Sequence, residues 1–186
     1  MGNVSQEERA RGGCMAKVTS KRVEGQLIPI SLTINGTLHE IDVEPHELLL
    51  DVIRDRLGLT GAKRSCDVQV CGACTLLLDG RPVSSCTLLA FEARGREVMT
   101  IEGLAQNGKL HPLQEAFIEH GGLQCGFCTP GMILTAKTLL DENPDPTEEE
   151  IINFMQGNIC RCTGYKKIIE SILAAAKKIK ASSSRI

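Results

Sequence analysis

Nine cysteines are the residues of this 186-residue chain with the clearest capacity for chemistry, because thiolates act as nucleophiles, redox groups and ligands of soft metals. Eight of them form two groups of four, one in each half of the sequence. An odd number of thiols in a chain without a secretory signal makes a disulfide framework a poor explanation. The ninth, Cys14, lies in a polar segment and is interpreted as a thiol that binds nothing. Metal ligation is therefore the leading interpretation.

The first group has the spacing C-x4-C-x2-C, with a fourth cysteine eleven residues further on, and consists of Cys66, Cys71, Cys74 and Cys86. This spacing is typical of plant-type [2Fe-2S] ligands. One loop can deliver three thiolates only if it wraps closely around the inorganic core, and the small residues Gly72 and Ala73 permit this. A four-cysteine zinc site is the alternative, although zinc sites usually offer two short C-x2-C knuckles.

The second group combines a C-x2-C pair with a C-x-C pair and consists of Cys125, Cys128, Cys160 and Cys162. Each pair precedes a predicted helix, whose N-terminal N–H groups and dipole would favour a net anionic cluster. Thr129, Asn158 and Thr163 are placed either to bond a sulfur atom or simply to cap a helix. Zinc is again an alternative, since four thiolates suit it.

The first half of the chain is predicted to form a sheet with one covering helix. Alternating apolar and polar residues predict a β-hairpin that begins at Ile28 and turns at Asn35–Gly36. An amphipathic helix is predicted between Pro45 and Gly58. Two short strands that turn at Asp79–Gly80 and a last run, REVMTIEGL, complete the predicted sheet.

The second half has helical periodicity throughout. Four helices are predicted in the segments LQEAFIEHG, PGMILTAKTLLDEN, TEEEIINFMQG and YKKIIESILAAAKKIKA. Pro130 and Pro146 stand where prolines of a first helical turn belong, and Thr147 with Glu150 fits a capping box, although Asp145 could equally be the cap.

The predicted fold class is therefore α+β, with one cysteine group in each half. The predicted division is a flexible extension (1–26), a first domain (27–104), a linker (105–112), a helical domain (113–180) and a frayed tail (181–186). Met15 is an alternative natural start. Halves of about 75 residues are only marginally stable alone, so bound metal would add to their stability.

Composition and missing motifs narrow the function classes. A net charge of −2 argues against a purely electrostatic role in nucleic-acid binding. No apolar run approaches the roughly 20 residues that span a bilayer, so no membrane insertion is expected, and the chain is predicted to be cytoplasmic. The sequence has no nucleotide-binding fingerprint and no convincing catalytic triad, so no catalytic residue is predicted on this chain.

Three segments, CGACTLLLDG, QCGFCTPGMI and GNICRCTGY, resemble in order and spacing the iron-sulfur (small) subunit of the molybdenum hydroxylases. This family includes xanthine dehydrogenase, aldehyde oxidoreductase and aerobic carbon monoxide dehydrogenase. The resemblance covers about residues 28–178. It implies an N-terminal β-grasp, plant-type ferredoxin-like domain followed by a C-terminal four-helix domain, each with one [2Fe-2S] cluster. The first cysteine group would hold the outer cluster, nearer FAD, and the second the inner cluster.

The resemblance also implies partners and a direction of electron flow. Electrons would pass from molybdopterin on a large subunit, through the inner and outer clusters, to FAD on a medium subunit, during oxidative hydroxylation of a small substrate. Gln124 and Cys162 would contact the molybdopterin. The expected assembly is a heterotrimer able to dimerise. The alternative is a free ferredoxin-like electron carrier. A subunit, unlike a free carrier, is expected to expose apolar side chains around the loops at 124–131 and 158–165.

One position departs from the family pattern. Many members carry glycine three residues after the first cysteine, where this chain has Gln69 in CDVQVC. A positive φ angle at Gln69 would cost free energy, so the loop is expected to differ slightly or to make a side-chain contact. Without that glycine the segment CDVQVCGAC looks more like the carbon monoxide dehydrogenase type than the xanthine type, and the predicted function leans toward the former.

Overall fold

The structure is a computed structural model that describes residues 26–183 of the chain. Nearly all of the predicted extension (1–26), with Cys14 and Met15, lies outside the described residues, as do the last three residues of the predicted tail.

A five-stranded mixed sheet organises the first half. Its strands are β1 (Ile28–Ile34), β2 (Thr37–Val43), β3 (Thr75–Leu78), β4 (Arg81–Ser84) and β5 (Glu97–Met99), in the order β2-β1-β5-β3-β4. β1 runs parallel to β5, and the other neighbouring strands are antiparallel. Asn35 and Gly36 make the β1–β2 turn with positive φ angles, as Asp79 and Gly80 do between β3 and β4. The predicted hairpin turns are thus confirmed.

The helical segment that covers the sheet differs from the prediction. It consists of a short α1 (Leu49–Asp51) that continues as a π-helical turn, Val52–Arg56. It starts four residues after Pro45, because the backbone N–H groups of Leu49 and Leu50 donate to carbonyl groups in the segment at 85–88. Leu48 also forms an isolated bridge with Leu89. These long-range bonds hold the chain extended before the helix begins.

The second half contains four α-helices. They are α2 (Pro112–Glu119), α3 (Thr129–Glu142), α4 (Glu148–Phe154) and α5 (Tyr165–Ser183). Pro130 occupies the first turn of α3, as predicted. Thr147 is the N-cap of α4 in a capping box with Glu150, so Pro146 precedes the cap and does not lie in the first turn. That part of the prediction was wrong.

Two apolar clusters lie side by side. One joins the sheet to α1 and the π-turn, and the other joins α2, α3, α4 and α5. α3 packs against both the other helices and the sheet strands β3 and β4, and the Thr138 hydroxyl donates to the Gly80 carbonyl oxygen at 3.4 Å. Because α3 begins directly after Cys128, this packing fixes Cys128 relative to the sheet. No helix among residues 26–183 is long and apolar enough to cross a membrane.

Two candidate metal centres

The loop that carries Cys66, Cys71 and Cys74, called the outer loop below, winds around the sulfur atom of Cys66. Asp67, Gln69 and Gly72 have positive φ angles of 55°, 61° and 68°, and this alternation turns successive backbone N–H groups toward the loop interior. The N–H groups of residues 68, 70 and 71 donate to the Cys66 sulfur and lower the pKa of its thiol to about 6. The loop therefore favours a thiolate at this position.

Side chains fasten the outer loop to its surroundings. The Arg64 guanidinium donates to Asp67 in the loop at 2.9 Å and also to Asp51 at the end of α1. These two carboxylates raise the pKa of Arg64. The Gln69 amide donates to the Thr87 hydroxyl. Gln69 thus adopts the positive φ angle that costs free energy and also makes the expected side-chain contact.

The remaining thiols of the outer group are brought together by the sheet. Cys74 ends the loop beside β3, and Cys86 follows β4, its antiparallel neighbour. Burial raises the pKa of the Cys74 thiol to about 11, and its S–H also donates to the Cys86 sulfur. Cys71 donates its S–H to Cys66. The four sulfurs therefore form two close pairs, Cys66 with Cys71 and Cys74 with Cys86.

The inner cysteine group lies between the start of α3 and the start of α5. Cys128 is the N-cap residue of α3, and Cys160 is buried in the helical core. The Gly164 N–H donates to the Cys160 sulfur at 3.4 Å, and the Cys160 N–H donates to the Tyr165 hydroxyl at 2.8 Å. Thr163 has a φ angle of 58°, and this bend turns the chain from the C-x-C pair into α5.

The inner thiols also form two close pairs. Cys162 donates its S–H to Cys125, which raises the pKa of Cys162. The backbone N–H of residue 127 and this S–H together lower the pKa of Cys125. Burial, followed by an S–H bond to Cys160, raises the pKa of Cys128 to about 12. The Thr163 hydroxyl donates to the Cys162 carbonyl oxygen, so it bonds the backbone and not a sulfur atom.

Both groups have a donor set that fits a [2Fe-2S] cluster. Each supplies four thiols as two close pairs, and a cluster of two irons takes two terminal thiolates at each iron. Backbone N–H groups already point at sulfur atoms in both groups, which is the interaction that tunes such clusters. Among residues 26–183, no group of three or more His, Cys, Asp or Glu side chains is gathered as around a single metal ion.

The two cysteine loops touch each other at what we call the loop junction, formed by Cys71, Gly72, Gly131, Asn158 and Ile159. The Ile159 N–H donates to the Cys71 carbonyl oxygen at 2.9 Å. The buried Asn158 amide donates to the Gly72 carbonyl oxygen at 3.2 Å. Sequence reasoning assigned Asn158 to capping or sulfur bonding and missed this contact between the halves.

The loops at 124–131 and 158–165 expose the apolar side chains that were expected of a subunit. Phe127, Ile159 and Tyr165 are 45 %, 45 % and 44 % exposed, so this prediction is confirmed. Gln124 is exposed beside the inner group, with its amide nitrogen near Gly164. Val68 on the outer loop is 63 % exposed. Both candidate metal centres are thus bordered by apolar surface.

Comparison with known proteins supports two adjacent cluster-binding segments. Residues 32–101 match the family described as "2Fe-2S iron-sulfur cluster binding domain", and residues 100–173 match the "[2Fe-2S] binding domain". The fold and its two cysteine groups therefore define an α+β protein with two [2Fe-2S] sites, as predicted.

Individual relatives identify the family. The chain is 50 % identical over 151 residues to the nicotinate dehydrogenase small FeS subunit of Eubacterium barkeri, covering 81 % of this chain and 96 % of that subunit. It is 47 % identical over 151 residues to the aldehyde oxidoreductase of Megalodesulfovibrio gigas, covering 80 % of this chain and 17 % of that longer protein. The chain belongs to the iron-sulfur subunits of the molybdenum hydroxylases.

A solved structure agrees with this placement. A chain of quinoline 2-oxidoreductase from Pseudomonas putida 86 superimposes with a TM-score of 0.81 at 48 % identity, covering 84 % of this chain and 98 % of that one. The resemblance stated from the three cysteine-containing segments is therefore confirmed.

Proposed function

We propose that this chain is the electron-transfer subunit of a molybdenum hydroxylase complex, an oxidoreductase in which the substrate reacts on another chain. The observation that carries the proposal is the pairing of eight thiols into two four-cysteine sites within a fold shared with small FeS subunits. When bound, a [2Fe-2S] cluster at each site accepts and releases one electron at a time.

The ligands follow from the two groups. Cys66, Cys71, Cys74 and Cys86 would hold the outer cluster, and Cys125, Cys128, Cys160 and Cys162 the inner one. The surrounding chain has three tasks: it keeps the thiolates in pairs, it directs backbone N–H groups at sulfur, and it excludes water from Cys74 and Cys160, which are buried. We assign the outer site to a β-grasp ferredoxin-like domain (27–104) and the inner site to a four-helix domain (113–180), joined by the linker at 105–112.

Partner contacts are proposed at the two apolar borders. The relatives named as small subunits belong to larger complexes, and the exposed Phe127, Ile159 and Tyr165 would be covered by a large molybdopterin-binding subunit in such an assembly. Gln124 and Cys162 lie at the same border and would approach the pterin. The exposed Val68 and Val70 on the outer loop would meet an FAD-binding subunit. The assembly would be a heterotrimer able to dimerise.

The proposal also includes a cellular location and a type of substrate. Cysteines that bind clusters and form no disulfide among residues 26–183 suit a reducing compartment, which supports a cytoplasmic location. The lean toward the carbon monoxide dehydrogenase type rests on the loop around Gln69 and stays a prediction. The relatives are named for nicotinate, aldehyde and quinoline.

Purification of the native complex tests the proposed function. The chain should elute with larger chains, and the peak should contain molybdenum and flavin in fixed ratio to it. A fully loaded chain that elutes alone as a monomer would contradict the proposal and favour the free electron carrier.

A further inference from the structure

The loop junction is built from close backbone contacts that leave no room for side chains. A Cβ atom on Gly131 would lie well inside the van der Waals distance of the Gly72 carbonyl oxygen. A Cβ atom on Gly72 would lie 2.5 Å from the Gly157 carbonyl oxygen and would also overlap the Asn158 side chain. Glycine at both positions thus allows the outer loop to touch both segments that carry inner cysteines.

Asn158 holds this contact from its centre. Its side chain is only 6 % exposed, although asparagine is mostly a surface residue. Its amide nitrogen donates to the Gly72 carbonyl oxygen, which also accepts a 2.7 Å bond from the Thr75 hydroxyl. A buried amide that loses its partner keeps the full cost of its desolvation, so the bond constrains both loops strongly.

The positions of these residues connect the two candidate metal centres. Gly72 lies between Cys71 and Cys74 of the outer group, and Asn158 is two residues before Cys160 of the inner group. The backbone bond from Ile159 to Cys71 runs beside the Asn158 bond. A shift of either loop must therefore move ligand residues of the other group.

We propose that Asn158 is a positioning residue that locks the two cysteine groups into one unit, so that the stability of each cluster site depends on the other. The proposal rests on the assignment of a [2Fe-2S] cluster to each group. With a cluster in each group, an electron given up by one would be taken up by the other, and Asn158 would serve that transfer only by holding the two ligand loops in place.

The test measures both sites separately in the purified holo-complex. The two clusters, reduced with dithionite, are followed by their electron paramagnetic resonance signals during exposure of the protein to an iron chelator. Asn158→Ala removes the donor, and Asn158→Asp keeps the side-chain volume but places an acceptor against the Gly72 carbonyl oxygen. Asn153→Ala, at an exposed position on α4, is the matched control.

Both Asn158 variants should lose both signals about tenfold faster than wild type, the size of effect typical for residues that support metal ligands. The magnetic splitting between the two reduced clusters should change as well, because it depends on their separation. Asn153→Ala should behave as wild type in both measurements. Faster loss of the inner signal alone, or unchanged loss of both, would overturn the proposal. Wild-type protein without two iron-sulfur signals would instead refute the proposed function.

A measurement on the wild type covers the case in which neither Asn158 variant folds. Hydrogen exchange detected by mass spectrometry should show the Ile159 amide protected as strongly as the amides of β3, although the Ile159 side chain is half exposed. Fast exchange at Ile159 would contradict a locked junction.

Discussion

Gly131→Ala should destabilise the protein, although alanine is the better helix former. In an exposed helix interior this change stabilises by about 1 kcal/mol. At position 131 the new methyl group would come closer than 3.0 Å to a backbone oxygen of Gly72, a contact that real Cβ atoms essentially never make. The two backbones must therefore move apart.

The size of the effect follows from the contacts that this movement disturbs. Overpacking costs about 1–3 kcal/mol. The bonds of 3.2 Å from Asn158 and 2.9 Å from Ile159 would both lengthen, at about 1 kcal/mol each. Set against the gain of about 1 kcal/mol in helix propensity, the net loss is about 3 kcal/mol, which lowers the Tm of a chain of this size by about 6–12 °C.

Gly157→Ala is the matched control, because a Cβ atom at that neighbouring glycine would meet no atom within 4 Å. Thermal unfolding of the two loaded variants, followed by circular dichroism and by cluster absorbance at one scan rate, makes the comparison. The contact argument would be refuted if Gly131→Ala unfolded at or above the wild-type temperature, or if both alanine variants lost stability equally.

Three further predictions concern other parts of the chain. Thr147→Ala should lower the free energy of unfolding by about 1 kcal/mol, because it removes the N-cap of α4, whereas Thr147→Ser should not; equal losses in thermal unfolding would refute this. Burial lowers the pKa of His111, so below about pH 6.5 the unfolded chain binds a proton that the folded chain does not. The free energy of unfolding therefore decreases as the pH is lowered through this range. His111→Asn keeps an acceptor for the Leu113 N–H and should reduce that fall between pH 8 and pH 5.5; an unchanged pH profile of Tm would contradict it. Gln69→Gly relieves a backbone strain of about 1 kcal/mol but loses a bond to Thr87 of similar size, so its stability should match that of wild type. Gln69→Ala loses the bond and keeps the strain, so its free energy of unfolding should be about 1 kcal/mol lower. Identical unfolding midpoints for the two variants would count against this reasoning.

Local sequence signals predicted much of the sheet and the helix ends. Alternation placed β1 and β2, and Asn35–Gly36 marked their turn, because side-chain direction and a positive φ angle are local properties. Thr147 likewise marked the start of α4.

A helical segment does lie between Pro45 and Gly58, but its predicted start near Pro45 was wrong, for a reason that local patterns do not show. The N–H groups of Leu49 and Leu50 bond to residues more than thirty positions away, and these bonds delay the helix. The spacing of buried residues alone contains no record of such partners.

In the candidate sites too, features with a local sequence signal were predicted and features that depend on long-range contacts were missed. Cysteine spacing predicted both groups of four, because ligands in one loop must follow the geometry of the cluster. The loop junction was missed, since Gly72, Gly131 and Asn158 belong to three separate segments and meet only after the helices pack on the sheet. Glycine directly after Cys71, and glycine three residues after Cys128, were the available signals.

Iron and acid-labile sulfide analysis of the purified native complex tests the central claim most directly. Two [2Fe-2S] segments require four irons and four sulfides per chain, with two distinct paramagnetic resonance signals after reduction. Zinc in place of iron, or two irons and a single signal, would contradict the account.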